Sequence, residues 1–360
     1  MVHHEPRGNG TLPVDADEPS QLRRCAPTHD IVVIGASAGG VEALSTLFRD
    51  LPPEFPASLF VVLHMLPTGH SVLPAILGRI GALEVSAAKD GDAPERGHAY
   101  VAPPDHHLML MDGRVRVTHG PRENGHRPAV DPLFRSAARA FDGRVIGVVL
   151  SGSLDDGTAG LGFVKSRGGI AVVQDPDDAQ YPAMPLNAIE NVDVDHITPV
   201  GQLAALLEEL VVTEASEAAV VEISDRAAEE APADPAGDDP GGIGLPAGTP
   251  SNIACPECGG VLWENETGRR SHFRCQVGHA YSPDSLVLEH SRSLEAALWA
   301  ATRSLEERAE LMRRIARRGR ERAGMAQRYG ARADAADQQA GVLKDAITQL
   351  RGNELQDVES

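Results

Sequence analysis

Positive charge is what this chain has too little of: 33 Lys and Arg stand against 52 Asp and Glu, a net charge of −19. Sequence-independent binding to nucleic acid or to an acidic membrane surface is therefore not expected of the whole molecule. Aromatic residues make up 4% of the chain, which argues further against a nucleic-acid-binding module that works by base stacking. No run is long and apolar enough to span a bilayer, and MVHHEPRGNG lacks the basic start and hydrophobic stretch of a signal peptide, so the expected compartment is the cytosol. No internal repeat is present. Cysteine is limited to four residues. Of these, Cys25 has no neighbour to pair with and reads as an incidental surface thiol.

What the chain does have is enough apolar residue for a sizeable core, 42% of 360 residues, and a length that fits two domains or one with appendages. Its organising stretch is DIVVIGASAGG at 30–40. The unbroken β-branched run over 31–35 predicts a strand buried on both faces, and apolar spacing over 41–48 predicts a helix. Ser37 then sits on a strand-to-helix turn with glycines on both sides, facing the free backbone N–H groups of the helix that follows. GASAG fits the GxSxG pattern of a nucleophile elbow. The competing reading is a Gly-rich dinucleotide turn, for which Gly35, Gly39 and Gly40 match GxGxxG poorly.

A base and an acid at later strand ends would decide between the two. A strand over 59–63 runs into His64, on the sheet edge where ligands bind in open α/β folds. His64 is the first candidate base, against the plainer reading of a strand-end histidine bonded to backbone. Most of the remaining histidines up to residue 126, namely His70, His98, His106, His107, His119 and His126, read as surface or loop residues. Residues 99–119 predict a strand and then a hairpin turning at Asp112-Gly113, followed by a polar segment and a helix over 131–141. A strand over 145–150 ends in SGSLDDGTAG, which brings Asp155 and Asp156 to the same edge, although Asp before a helix is also a common cap. A strand over 170–173, a short helix to 190 and a helix over 199–210, with Thr198 placed to cap it, complete this part. Serine, histidine and aspartate thus follow in the order Ser, His, Asp, with the serine after the first strand. An α/β-hydrolase runs Ser, Asp, His, which argues against that superfamily.

IGASAGG at 34–40, VLHMLP at 62–67, YVAPPDHHL at 100–108, RPAVDPLFRSAA at 127–138 and VVLSGSLDDGTAGL at 148–161 together resemble the chemotaxis protein-glutamate methylesterases, the CheB family. The resemblance covers about residues 29–212. It implies an α/β fold with a doubly wound, mostly parallel sheet, and hydrolysis of glutamyl γ-methyl esters on receptor proteins with release of methanol. It also implies Ser37 as nucleophile, His64 as base, Asp156 as orienting acid, no cofactor for catalysis, and a methylated chemoreceptor or related signalling protein as partner. Two motifs depart from the family pattern. Ala38 replaces a usual Thr, and SLDDG replaces MGNDG, with Ser153 at the Met and Asp155 at the Asn; a second carboxylate beside Asp156 is expected to raise the pKa of one of the pair. The family's usual phosphoacceptor receiver domain has no counterpart in the short leader, so control by phosphorylation within this chain is not expected, and neither is a site covered by a receiver of its own.

Residues 1–28 read as a disordered leader, 29–212 as the esterase domain and 213–250 as an acidic flexible linker with Arg226 as its one base. The segment 251–283 carries Cys255, Cys258, Cys275 and His279, three thiols and an imidazole at the spacing of a closed structural zinc site, with the intervening residues forming a hairpin. A Cys255–Cys258 disulfide is the alternative that a cytosolic address disfavours, and His272 is a substitute ligand of poorer spacing. Such a ribbon is similar to an extension on some receiver-less relatives. Residues 284–351 read as a helical hairpin or a dimerising coiled coil, with Leu294, Leu298, Ala301, Leu305, Met312 and Ile315 on one helix and Met325, Tyr329, Ala336, Val342, Leu343 and Ile347 on the other, and 352–360 as a tail. The arginines at 313, 314, 317, 318, 320 and 322 form a basic cluster that reads as a solvated face or a dock for the acidic linker or a partner. Glutamine deamidation by the same nucleophile and a non-catalytic regulator acting through the ribbon and helices are the alternatives to the esterase.

Overall fold

The computed structural model describes residues 1, 28–68, 71–215, 246, 248–267, 270–318 and 323–359. Nearly all of the expected leader, most of the expected linker, Cys25, His70, Arg320 and Arg322 lie outside the described residues.

The first strand, β1 (Ile31–Ala36), is buried along its whole length, which explains its lack of polar alternation. Val32 and Ile34 pack into one apolar layer and Ile31 and Val33 into the other, as a period of two requires. It pairs in parallel with β2 (Ser58–Leu63) on one side and with β7 (Val145–Val149) on the other. With β3 (Glu84–Ala87), β4 (His98–Val101), β8 (Ile170–Gln174) and β9 (His196–Thr198) they form a seven-stranded sheet in the order β3-β4-β2-β1-β7-β8-β9, every described pair being parallel. The strands β5 (His107–Met111) and β6 (Arg114–Thr118) form the expected hairpin at Asp112-Gly113.

Helices α1 (Gly40–Asp50), α2 (Leu73–Ile80) and α6 (Val200–Val211) cover one face of the sheet through Leu44, Leu47, Phe48, Leu77 and Leu207. Helices α3 (Val130–Phe141), α4 (Thr158–Ser166) and α5 (Ala183–Asn191) cover the other through Phe134, Leu161, Val164 and Met184. Each fully buried side chain of this size contributes about 1.5–3 kcal/mol, so these two layers hold the sheet together. The doubly wound α/β architecture is the one expected. Strands β3 and β9 were not, because both are short edge strands with partly exposed, polar sequences. Thr198 is the last residue of β9 rather than a cap; Pro199 flanks α6, and the Val200 N–H donates to Asp178 Oδ2 at 2.8 Å.

In the C-terminal part β10 (Thr249–Ala254), β11 (Val261–Thr267), β12 (Arg270–Cys275) and β13 (Ala280–Tyr281) make an antiparallel sheet in chain order. Two long helices, α7 (Pro283–Arg318) and α8 (Ala323–Glu359), fold back on each other. Their seam is built on Ala309, Ala333 and Ala336, with Leu305 and Met312 packed against it. Among the residues expected in the seam, Leu294 and Val342 instead point to solvent, 49% and 67% exposed, because the helices approach through alanines. The second helix also continues through the residues read as a tail, as far as Glu359. Lys344 reaches Glu306 at 2.6 Å and Arg313 pairs with Asp337, both ion pairs crossing the hairpin, while Arg314 pairs with Glu310 at 2.8 Å. Among the described residues of the basic cluster, Arg313, Arg314 and Arg317 thus meet acidic neighbours, each such pair worth at most about 1 kcal/mol.

Candidate active site

The strand order reverses between β1 and β7, and the loops after these two strands and after β2 open on one edge, the usual crevice of such sheets. Ser37 follows β1 directly, its N–H donating to Ser151 O at 3.0 Å in the loop after β7. Gly39, at φ 72°, then turns the chain into α1. Across the crevice Gly152 comes so close that an added Cβ would stand 2.9 Å from that of Ser37. These approaches explain why the loop needs glycine on either side of the hydroxyl.

His64, the first residue after β2, lies between the other two. Its Nε2 is 2.7 Å from Asp156 Oδ2 and its Nδ1 3.1 Å from Ser37 Oγ. An ionised carboxylate only accepts, so Nε2 carries the proton and Nδ1 offers its lone pair to the serine hydroxyl. Asp156, 2% exposed, takes four donors. Oδ2 accepts from His64 and from the Val130 N–H at 2.7 Å; Oδ1 accepts from the Asp131 N–H at 3.2 Å and from Asn124 Nδ2 at 3.0 Å. Burial opposes its charge, yet the hydrogen bond and charge of His64 and the Val130 N–H hold its carboxyl far below the usual range. The acid therefore sits on the N-terminus of α3, where backbone N–H groups and the helix dipole favour an anion. Gly35 makes this possible: a Cβ there would stand 2.2 Å from Val130 Cγ1 and push the start of α3 away.

A like-charge effect of Asp156 is seen at Asp131, outside the pair named in the sequence. Asp131, in the first turn of α3, is pushed up to about 8 by burial and by the charge of Asp156. Its Oδ1 accepts the Gly157 and Gly160 N–H groups at 3.1 and 2.7 Å. Asp155 points elsewhere and accepts the Ser282 hydroxyl at 2.8 Å. Between these two aspartates and β7, Leu154 holds a left-handed φ of 64°, with Asn187 Nδ2 donating to its carbonyl at 3.1 Å.

Two histidines read as surface or loop residues are structural parts of this site. His107, 2% exposed, bonds Pro121 O through Nε2 at 2.9 Å and accepts the Ala129 N–H through Nδ1 at 3.3 Å. His126 stacks on His64 with ring centroids 3.7 Å apart and planes 13° apart. Burial, followed by the charge of His64, lowers His126 to about 3, so this ring is neutral when His64 takes up a proton. The chain reaches it through a tight turn, with Asn124 and Gly125 at φ 51° and 75° and paired backbone bonds between Glu123 and His126. Asn-Gly in ENGH was the legible signal for this two-residue turn, within a segment read only as polar.

In the C-terminal sheet Cys255, Cys258, Cys275 and His279 cluster with ligand atoms all within 4.8 Å of one another. Cys258 and Cys275 sulfurs are 3.7 Å apart, and His279 Nδ1 is 3.7 Å from Cys255 and 3.4 Å from Cys275. A tetrahedral ion with sulfurs at about 2.3 Å and nitrogen at about 2.0 Å would space them about 3.8 and 3.5 Å apart. The set is compatible with a metal site, and all three thiols are free rather than bridged. His272, opposite Asn265 across β11 and β12, is not in the cluster.

The family model for the CheB methylesterase matches residues 32–207. A relative from Leptospira interrogans is 35% identical over 179 residues, 49% of this chain and 93% of that protein. The protein-glutamate methylesterase/protein-glutamine glutaminase 2 of Anaeromyxobacter dehalogenans is 39% identical over 181 residues, 50% of this chain and 53% of that one. The crystal structure of the Thermotoga maritima CheB methylesterase catalytic domain is 36% identical, with a TM-score of 0.49, covering 51% of this chain and 98% of that one. The chain belongs to the CheB methylesterase family.

Proposed function

We propose that this protein is a protein-glutamate methylesterase, with Ser37 as nucleophile, His64 as base and Asp156 as orienting acid. The observation that carries the reading is the unbroken path Ser37 Oγ, His64 Nδ1, His64 Nε2, Asp156 Oδ2, with steps of 3.1 and 2.7 Å between residues from three separate strand ends. Ser37 gives its proton to His64 Nδ1 as Oγ attacks the carbonyl carbon of a glutamyl γ-methyl ester. The tetrahedral intermediate collapses as His64 returns that proton to the leaving methoxide, which departs as methanol. Water then gives a proton to His64, attacks the acyl-serine and frees the glutamate carboxylate and Ser37. Asp156 stays ionised and stabilises the imidazolium formed in each half. His126, neutral and stacked on that ring, adds no competing charge.

The substrate is a methylated chemoreceptor or a related signalling protein. Glutamine deamidation is a second activity that the same residues support, since attack on a side-chain amide passes through a similar intermediate, and relatives carry both activities in their names. We further assign residues 29–212 as the catalytic domain and 251–283 as a small ribbon holding one structural zinc through Cys255, Cys258, Cys275 and His279. Four protein ligands leave no open position on the metal, so its contribution is folding energy. Free thiols at that site suit a cytosolic setting. Dimerisation through the helices would have to compete with the intramolecular hairpin.

Methanol release from a glutamyl-methylated receptor fragment tests the reading. A clear rate with the intact protein and its loss in both Ser37→Ala and His64→Ala are expected. Release that survives Ser37→Ala would overturn it, and a function that survives Ser37→Ala but not removal of residues 251–360 would favour a non-catalytic regulator.

A further inference from the structure

The turn at 123–126 touches the triad on one side and the C-terminal part on the other. On its inner side Asn124 Nδ2 donates to Asp156 Oδ1 at 3.0 Å and to Asp131 Oδ2 at 3.1 Å. On its outer side Asn124 Oδ1 accepts the Ser282 backbone N–H at 2.9 Å and the Ser285 hydroxyl at 3.0 Å. A backbone N–H can only donate, so the amide has one permitted orientation and its whole capacity is divided between the two parts. All three residues are buried. The Asn124 N–H also donates to Ala280 O at 2.8 Å, and the Ala280 N–H to Arg122 O at 3.3 Å, adding β13 to the turn.

Further contacts follow the same seam. Arg274 lies 3.7 Å from Glu123, which also pairs with Arg135 at 2.5 Å, and Arg122 lies 3.0 Å from Glu257. Ser282, just before Pro283 opens α7, donates its hydroxyl to Asp155 and accepts the Ser285 N–H at 3.1 Å, the arrangement of a helix cap. Gly125 is so close to α7 that an added Cβ would stand 2.5 Å from Glu289 Oε1. The C-terminal sheet and the start of α7 are thus built onto the one turn that supplies a donor to the triad acid and the ring stacked on its base.

We infer that the C-terminal module is a working part of the active site: it fixes Asn124, and through Asn124 the carboxylate of Asp156 and the hydrogen bond from His64. This rests on the Ser37, His64, Asp156 reading. Asn124 touches no reacting atom and is a positioning residue. Without Ser282 and Ser285 as donors, its Oδ1 would be a buried acceptor left unpaired, and the amide would gain by turning away from Asp156. His279 immediately precedes Ala280, so the ribbon's metal ligands and the triad acid lie on one short path.

The test uses the full chain carrying Ser282→Pro, which removes the backbone N–H that Asn124 Oδ1 accepts, together with Ser285→Ala, which removes the hydroxyl. It reads the rate and saturation of Ser37 labelling by a fluorophosphonate, and the low-field proton resonance of His64 Nε2–H. The expected result is a maximal labelling rate lower by about tenfold, the cost of one unpaired buried acceptor, with half-saturation unchanged and the low-field resonance shifted or broadened. A folded double variant that labels at the wild-type rate with an unmoved resonance overturns the inference. Where the double variant does not fold, Arg274→Ala, which frees Glu123 from the ribbon side, decides by the same two readouts. Wild-type protein that does not label, or Ser37→Ala that labels equally, fails the triad reading itself and is told apart by that control.

Discussion

Around Asp156 three of the four donors, on His64, Val130 and Asp131, are held by the central sheet and α3 with their apolar layers, whereas the cluster of Cys255, Cys258, Cys275 and His279 stands on a sheet whose buried core is six residues, two of them cysteines of that cluster. The first region keeps a charge in place by packing: Gly35 lets α3 approach, and α3 presents its N–H groups. The second has little apolar surface to fix its side chains, and the proposed zinc would supply bonds in place of packing. The hairpin of α7 and α8 is thinner still, an alanine seam flanked by surface ion pairs. Precision at the catalytic edge thus comes from a large core, and in the ribbon, on the proposed zinc, it would come from coordination.

The largest break in this comparison is Cys275→Ser. It should take bound zinc from one per chain to none and strip hydrogen-exchange protection from the ribbon strands, while β1 and β2 keep theirs. Structural zinc commonly supplies on the order of 10 kcal/mol to such modules. A ribbon that stays protected without metal would mean its small core suffices. Next is Gly35→Ala, which attacks the packed side: the new methyl meets Val130 at 2.2 Å. Overpacking here should cost about 1–3 kcal/mol, read as a lower melting temperature, and Ser37 labelling should slow because the Val130 N–H leaves Asp156. Unchanged labelling would separate the α3 N-terminus from catalysis.

A third effect sharpens the comparison through pH. His126 is lowered to about 3 from 6.5, so between those values the unfolded chain binds a proton that the folded chain excludes. Stability from this residue therefore falls as pH drops from 6.5 toward 3. His126→Phe keeps a stacked ring without the proton. Relative to wild type it should gain about 2 kcal/mol on going from pH 7 to pH 5, measured as the difference in denaturant midpoints; an equal difference at both values would sink the assignment.

The sheet and the juxtaposition of Ser37, His64 and Asp156 were readable because they rest on strong local signals: the apolar run before Ser37, and polar residues placed after apolar strands at His64 and Asp156. The CxxC knuckle and CQVGH were equally plain. What escaped was set by contacts between distant segments. His126 and Asn124 lie in a polar stretch with no periodicity, and only the fold shows that the Asn-Gly turn reaches the acid. Asp131 entered only as the first residue of an expected helix, and the fold shows that it carries a raised pKa because α3 starts beside Asp156. The hairpin seam was misread at Leu294 and Val342 because large apolar residues drew attention where alanines make the contact.

The enclosure of Asp156 also decides how the molecule answers ionic strength. Its four donors come from the protein and it is 2% exposed, so mobile counterions do not reach it and screening acts little on the charge it balances. The pairs that brace the hairpin, Lys344 with Glu306 and Arg351 with Glu295, lie in water and weaken as salt is added. One solution variable therefore loosens the helical arm and leaves the relay from serine to aspartate as it was.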